Sequence, residues 1–465
     1  MKEEFGSKLE NQTDLNPLFH RISGENNNVK YVLLGEASHG TSEFYNWRIE
    51  ISKYLITDKK FSFIAVEGDW PDCYNVNRYV KGMPDSGESA YDVLYSFNRW
   101  PTWMWANREM VNLIEWLRKY NEKLPEGQKV GFYGLDVYSL WESLEAVIKY
   151  LRKLDPAAIK TAVEAYNCFE PYGRSVEDYA RATAFVPESC EDEVIDMLID
   201  LRSKASQYKS DGLSRREAYF NAEQNAIVAK NAELYYRKMV QGGTATWNIR
   251  DRHMMDTLKR LMDFHDNDDD NNNAKSIVWA HNTHIGDARY TDMVDAKMIN
   301  IGQLVREYAS EKNVVLVGFG TYKGSVIAAK EWGEKMEKMF IPHAVDGSWD
   351  SLIHKQSDGR NSLLIFRDNA KRRYTQQQEE EGELQELLYQ EETRNKKKTI
   401  TRRGQRAIGV VYNPQYERYG NYVPTVLTKR YDAFLYIDET HALHPLHMPE
   451  VKEDKDLPET FPTGL

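Results

Sequence analysis

Five short apolar runs limit how this chain can fold: Tyr31 to Gly35, Phe61 to Glu67, Val130 to Leu135, Ser276 to Ala280 and Val314 to Gly318. None alternates apolar with polar residues. A strand with one wet face shows that alternation, so runs without it belong to strands covered by helices on both faces. Helical patterns separate the first three runs, among them Glu43 to Ile56 and "NREMVNLIEWLRKYNE" from Asn107 to Glu122. Strand, helix, strand in repeated order predicts an α/β fold with a mostly parallel sheet core flanked by helices.

A chain of 465 residues exceeds one simple core, and its pattern changes twice. From about Leu140 to Phe264 the 3.6-residue period is uninterrupted, as in "DEVIDMLIDLRSKASQY" and "RREAYFNAEQNAIVAKNAELYYRKMV". The expected organisation is an α/β core of residues 1–139 with 272–322, an inserted helical lobe of 140–271, and a C-terminal α+β lobe of 323–465. That last part holds the strand-like "NSLLIF", "RAIGVVY" and "YDAFLYI" around a charged helix, "QQQEEEGELQELLYQEETRNKKK". The loop "HDNDDDNNN" lacks the glycine and terminal glutamate of an EF-hand and reads as a solvated linker. No internal repeat is present.

Composition narrows the partners. A net charge of -11 argues against nucleic acid, whose phosphates need a basic surface. No run approaches the roughly 18 apolar residues of a membrane span, and "MKEEFGSKLENQTD" has no apolar signal region. The expectation is a cytoplasmic protein acting on a small molecule, away from membranes; the sequence is silent on oligomeric state. Cys73, Cys168 and Cys190 lie far apart, odd in number and without a CxxC pair, which fits a reducing compartment and argues against zinc thiolates.

In an open parallel sheet, ligands bind beyond the carboxyl ends of the strands. There the first strand delivers Glu36 and His39, the second Glu67 with Asp69 beyond, the third Asp136, and the fourth "HNTHIG" with His281 and His284. Strand ends normally stop in neutral turn residues, so four that carry carboxylates or imidazoles form a candidate site. Two chemistries suit it. Glu36, His39, Glu67, His281 and His284 could ligate a divalent metal. Alternatively, a carboxylate orients a histidine that takes a proton from water, with no cofactor required.

The surrounding residues divide less cleanly. Ser38, Thr41 and Ser42 read as helix-starting hydroxyls, and no GxSxG elbow marks a nucleophilic serine. Arg48 and Arg250 either pair with carboxylates or an oxyanion, or lie on solvated helix faces. "GFGTYKG" from Gly318 to Gly324 leads into strand-like sequence, so it reads as a turn and not as a dinucleotide loop. Pro445 interrupts "HALHPLH", which reads as surface and not as a metal ladder. "RWPTWMWANRE" offers Trp100, Trp103 and Trp105 either to core or to a cleft wall. Asp69, Asp136, Arg250 and Trp103 are the expected substrate contacts.

Several segments together resemble the erythromycin esterase family, hydrolases of the macrolide ring ester. They are "LLGEASHGTSEFYNWR", "FIAVEGDWPDCYNVNRYV", "NREMVNLIEWLRKYN", "VGFYGLDVYSLWESL", "NIRDRHMMDTL", "IVWAHNTHIGDARY" and "AIGVVYNPQYERYGNYVPTVLTKRYDAFLYIDET". The resemblance implies an ester or lactone hydrolase in which His39 activates water without a covalent acyl-enzyme. It implies site roles for Glu36, Glu67, His281 and His284, and raises Arg48 to the same group. It carries neither the substrate nor metal dependence; a metal-dependent hydrolase and a non-catalytic binding protein remain the alternatives.

Overall fold

The apolar runs become strands, paired in register in one sheet. A computed structural model describes residues 7–23, 29–173, 175–185, 189–209, 213–266, 274–366 and 402–448. In chain order its strands are β1 (Ser7–Lys8), β2 (Tyr31–Leu34), β3 (Phe63–Asp69), β4 (Gly131–Asp136), β5 (Ser276–Trp279), β6 (Val314–Ala328), β7 (Glu337–Ile341), β8 (Ser362–Ile365), β9 (Arg403–Arg406), β10 (Tyr422–Thr425) and β11 (Ala433–Thr440). The main sheet runs β1-β8-β11-β6-β2-β5-β3-β4. From β11 to β4 all neighbours are parallel, while β1, β7 and β8 pair antiparallel at the margins. Leu34 pairs with Trp279, Trp279 with Val66, and Val66 with Gly134. One or two residues further on, Glu36 and His281 just beyond β2 and β5 and Glu67 and Asp136 near the ends of β3 and β4 therefore come to one edge of the sheet.

Successive side chains of a strand point to opposite faces, and here both faces are covered. Val32, Leu34, Ile64, Val66, Ile277 and Trp279 join one core with Leu113, Ile114 and Leu117 of the helix Arg108–Asn121. Leu33, Ala65, Tyr133 and Val278 join the other with Met254, Leu258 and Leu261 of the helix Ala245–Asp266. That is why the runs lack polar alternation.

Between β4 and β5 the described chain is helical, with its own core built from Leu144, Leu151, Val194, Leu198 and Ala226 among others. Here the cysteine expectation is overturned, since Cys168 and Cys190 form a disulfide inside this core and only Cys73 is free. Their spacing of 22 residues hides a Cα separation of 5.8 Å, because the helix Lys160–Phe169 that carries Cys168 packs against the helix Glu191–Ser203 that Cys190 immediately precedes.

The segment after residue 322 is α+β in content, and its strands β8 and β11 extend the main sheet. "GFGTYKG" is not a turn: β6 runs straight through it. A Cβ on Gly320 would lie 2.7 Å from Asp350 Oδ1, and Gly324, at φ +146, passes close against the Thr440 carbonyl. The glycines admit close neighbours along a continuous strand. "RAIGVVY" contributes the last residue of β9 and then isolated bridges, Ile408 to Ser38 and Val411 to Ala329. The charged helix falls outside the described residues, as does most of the polar loop before β5. Among the described residues, no helix is long and apolar enough to cross a membrane.

Candidate active site

Glu36 and His39 occupy the turn between β2 and the helix Ser42–Lys59. Glu36 Oε1 lies 2.9 Å from His39 Nδ1, and Glu36 Oε2 accepts from Arg48 Nη2 at 2.7 Å. Arg48 is fully buried, its guanidinium stacked against the rings of Tyr45 and Trp279. It thus stands behind Glu36 and does not reach the cleft, so the expectation that it contacts an oxyanion is corrected. The Tyr45 hydroxyl donates to the His39 carbonyl at 3.3 Å and to that of Met104 at 2.7 Å, tying the turn to the tryptophan-rich loop.

The hydroxyls of the turn do not cap the helix. Thr41 occupies the N-cap without a capping bond from its side chain, Ser38 Oγ bonds Thr41 Oγ1 instead, and Ser42 Oγ donates to Glu109 at 2.6 Å. Two bond each other and Ser42 reaches a neighbouring helix, because the turn is buried and polar groups there need partners. The segment His441 to Met448 lies alongside: Ser42 N donates to the His441 carbonyl, and Leu443 N to that of Gly40. His441 and His444 pair separately with Glu43 and Glu109, which accounts for "HALHPLH".

A second network sits across the sheet edge. Arg250 grips Asp136 through Nε at 2.9 Å and Nη2 at 2.6 Å, and the same Nη2 reaches Glu67 Oε1 at 2.6 Å. Burial disfavours the Glu67 carboxylate, but His284, Arg250 and His39 outweigh it and hold its pKa well below the usual range. Asp136 is held low in the same way, Arg250 overcoming burial. Glu67 Oε2 accepts the His281 amide at 2.8 Å. Both carboxylates therefore orient parts of the site.

His281 and His284 differ sharply. His281 Nδ1 faces the Thr283 hydroxyl at 2.8 Å and amide at 3.3 Å, which leaves the proton on Nε2. That Nε2 is buried with no hydrogen-bond partner among the described residues. Burial, and then His39, push the His281 pKa well down, keeping the ring neutral. Its ring centroid is 4.8 Å from that of His39. His284 has both nitrogens engaged, Nδ1 with Asp251 at 3.0 Å and Nε2 at 3.0 Å from Arg250 Nη1, and its ring stacks on Trp247. Burial opposes its charged form, but Asp251 and Glu67 prevail and raise its pKa.

Of these groups His39, Glu67, Asp136 and Arg250 border, with Asp69, a small cleft of about 120 Å³, while Glu36, His281 and His284 are not among its lining residues. Trp103 is not part of it. That side chain is 1 % exposed and packs in the core, while Trp105 lines the cleft and donates to the Glu67 carbonyl at 3.1 Å. Sequence reasoning missed Asp72, Arg99, Tyr138 and Trp332 of the lining, and Asp251 behind it. Asp72 had a signal, since a helix opening at Trp70 puts it one turn from Asp69. Trp332, brought in by the β6–β7 hairpin, had none. Among the described residues, no three His, Cys, Asp or Glu side chains form a group able to hold a metal ion. Glu36, Glu67 and His284 already spend their donor atoms on His39, Arg48, Arg250 and Asp251.

A mostly parallel sheet with helices on both faces, and a carboxylate and imidazole cleft near its strand ends, defines an α/β chain with a candidate site at the sheet edge. The chain belongs to the erythromycin esterase family, which matches residues 56–440. It is 21% identical over 380 residues to erythromycin esterase type II of Escherichia coli, covering 77% of this chain and 85% of that one. Two solved structures share the fold. A succinoglycan biosynthesis protein gives a TM-score of 0.68 at 21% identity, over 94% of this chain and 95% of its own. An erythromycin esterase mutant in its open conformation gives 0.61 at 13% identity, over 94% and 97%. Membership places the chain among hydrolases.

Proposed function

We propose that this chain hydrolyses an ester or lactone, with His39 as general base and without an acyl-enzyme or a required metal. The observation that carries the reading is the Arg48–Glu36–His39 relay, which fixes Nδ1 on a carboxylate. Nε2, the other ring nitrogen, has no protein hydrogen bond among the described residues, and His39 lines the cleft. A water at Nε2 loses a proton to the ring as its oxygen attacks the carbonyl. The oxyanion takes the hydrogen bond of His281 Nε2–H, a buried group whose ring lies beside that of His39. Collapse returns the proton from His39 to the leaving alkoxide, releasing acid and alcohol. Glu67, Asp136, Arg250, His284 and Asp251 hold the far wall in place and take no proton.

Among the described residues, no serine, threonine or cysteine lines the cleft to serve a covalent route. Ser38 and Ser42 are bonded to Thr41 and Glu109, and burial pushes the Cys73 thiol well up. Cleavage of the macrolide ring ester is one candidate reaction, supported by the named E. coli relative. The test is a screen of simple esters, lactones and macrolides against wild type and His39→Ala. Turnover that falls about 100-fold or more in a folded variant supports the reading. Near-normal turnover in that variant sinks it, and no turnover by wild type on any substrate favours a binding protein.

A further inference from the structure

Counting charges around the cleft leaves two more carboxyl groups than guanidinium groups. Four carboxyl groups line it, Glu67, Asp69, Asp72 and Asp136, against two guanidinium groups, Arg99 and Arg250. Arg250 is committed to Glu67 and Asp136, and Arg99 to Asp69 through its Nε. The Asp72 carboxyl has neither ion pair nor hydrogen bond among the described residues. Asp69, 8 % exposed, has its other oxygen, Oδ1, buried in the cleft wall with no partner. An unsatisfied buried oxygen beside an uncountered acid is costly unless something fills the gap.

We infer that Asp69 and Asp72 form a subsite for a protonated amine carried by the substrate, in the cleft that His39 also lines. The inference rests on the ester-hydrolase reading only in calling the ligand a substrate. Burial, with Asp69 and Glu142 nearby, pushes the Asp72 carboxyl up to about 7 against the smaller pull of Arg99, which is committed to Asp69. Aromatic rings complete the wall. Phe97, Trp105 and Trp332 line the cleft, and Trp332, 64 % exposed, is braced by Trp100, whose indole N–H donates to the Glu334 carbonyl. Ring faces attract an alkylammonium and tolerate its methyl groups. The ring of Tyr138 already lies against Arg99 and Arg250, so the added cation belongs nearer Asp72.

Binding, measured without turnover, tests this. The full chain carrying His39→Ala is titrated with choline acetate and with its uncharged isostere, 3,3-dimethylbutyl acetate, by calorimetry. The cationic ester is expected to bind at least about tenfold more tightly, and adding Asp72→Asn should bring the ratio near one. Equal affinities, a ratio that Asp72→Asn leaves unchanged, or binding of neither ester overturns the proposal. Failure of the wild type to hydrolyse any ester in the screen overturns the esterase reading alone, because the binding ratio does not depend on turnover.

Discussion

Glu36 meets His39 at 2.9 Å on one side and Arg48 at 2.7 Å on the other, so one buried carboxylate both aims an imidazole and neutralises a guanidinium. Its two partners report on it differently. Glu36→Gln keeps the shape but weakens the hold on Nδ1. It is expected to lower kcat by about 10-fold or more with KM little changed, as loss of an orienting carboxylate should. Steady-state kinetics on an ester found in the screen provides the check, and a rise in KM alone would count against the role.

Arg48→Met removes the cation and leaves Glu36 buried beside His39 alone. Breaking a buried pair by deleting one partner costs about 3–5 kcal/mol, so denaturant unfolding should show a loss of that order. A change below about 1 kcal/mol, the size of an exposed pair, would show that Arg48 is not locked behind the site.

Acid should unfold the protein partly through Glu67 and Asp136. Both are held below their ordinary values of 4.5 and 3.8 when folded, so the unfolded chain binds their protons more tightly. The stability they contribute is complete above those ordinary values and is lost as pH falls through the folded ones. Arg250→Met removes a cation that lowers both. The variant should be less stable at neutral pH and its stability should depend less on pH between about 5 and 3. A slope as steep as that of wild type would contradict this origin.

Two tryptophans of one motif should separate. Trp103→Ala, in the core, is expected to cost about 3–5 kcal/mol of stability. Trp105→Ala opens the cleft wall at Glu67 and should raise KM as well. A Trp103 variant of wild-type stability would return that residue to the substrate side.

In unreduced, denatured protein, one thiol of three, Cys73, should react with an alkylating agent, as read by intact mass. Replacing Cys168 and Cys190 by serine should lower stability by roughly 2–4 kcal/mol. Three reactive thiols before reduction would rule the bond out.

The sequence by itself determined the strands and what stands at their ends. A strand buried on both faces must be apolar throughout, so β2 to β6 were legible as runs, and Glu36, Glu67, Asp136, His281 and the nearby His39 and His284 marked where those runs stop. Register then brought them to one edge of the sheet, since parallel neighbours must align their backbone hydrogen bonds. What lies far along the chain left no local trace. Asp251 behind His284, Arg99 on Asp69, Trp332 over the mouth and the Cys168–Cys190 bond arise from how helices and a hairpin pack onto the sheet. The same holds for the different fates of Arg48, sealed in the core, and Arg250, spread over two carboxylates. Only the tertiary structure decided these, because an ion pair depends on distance in space, and periodicity tells which face a residue takes but not what that face will meet.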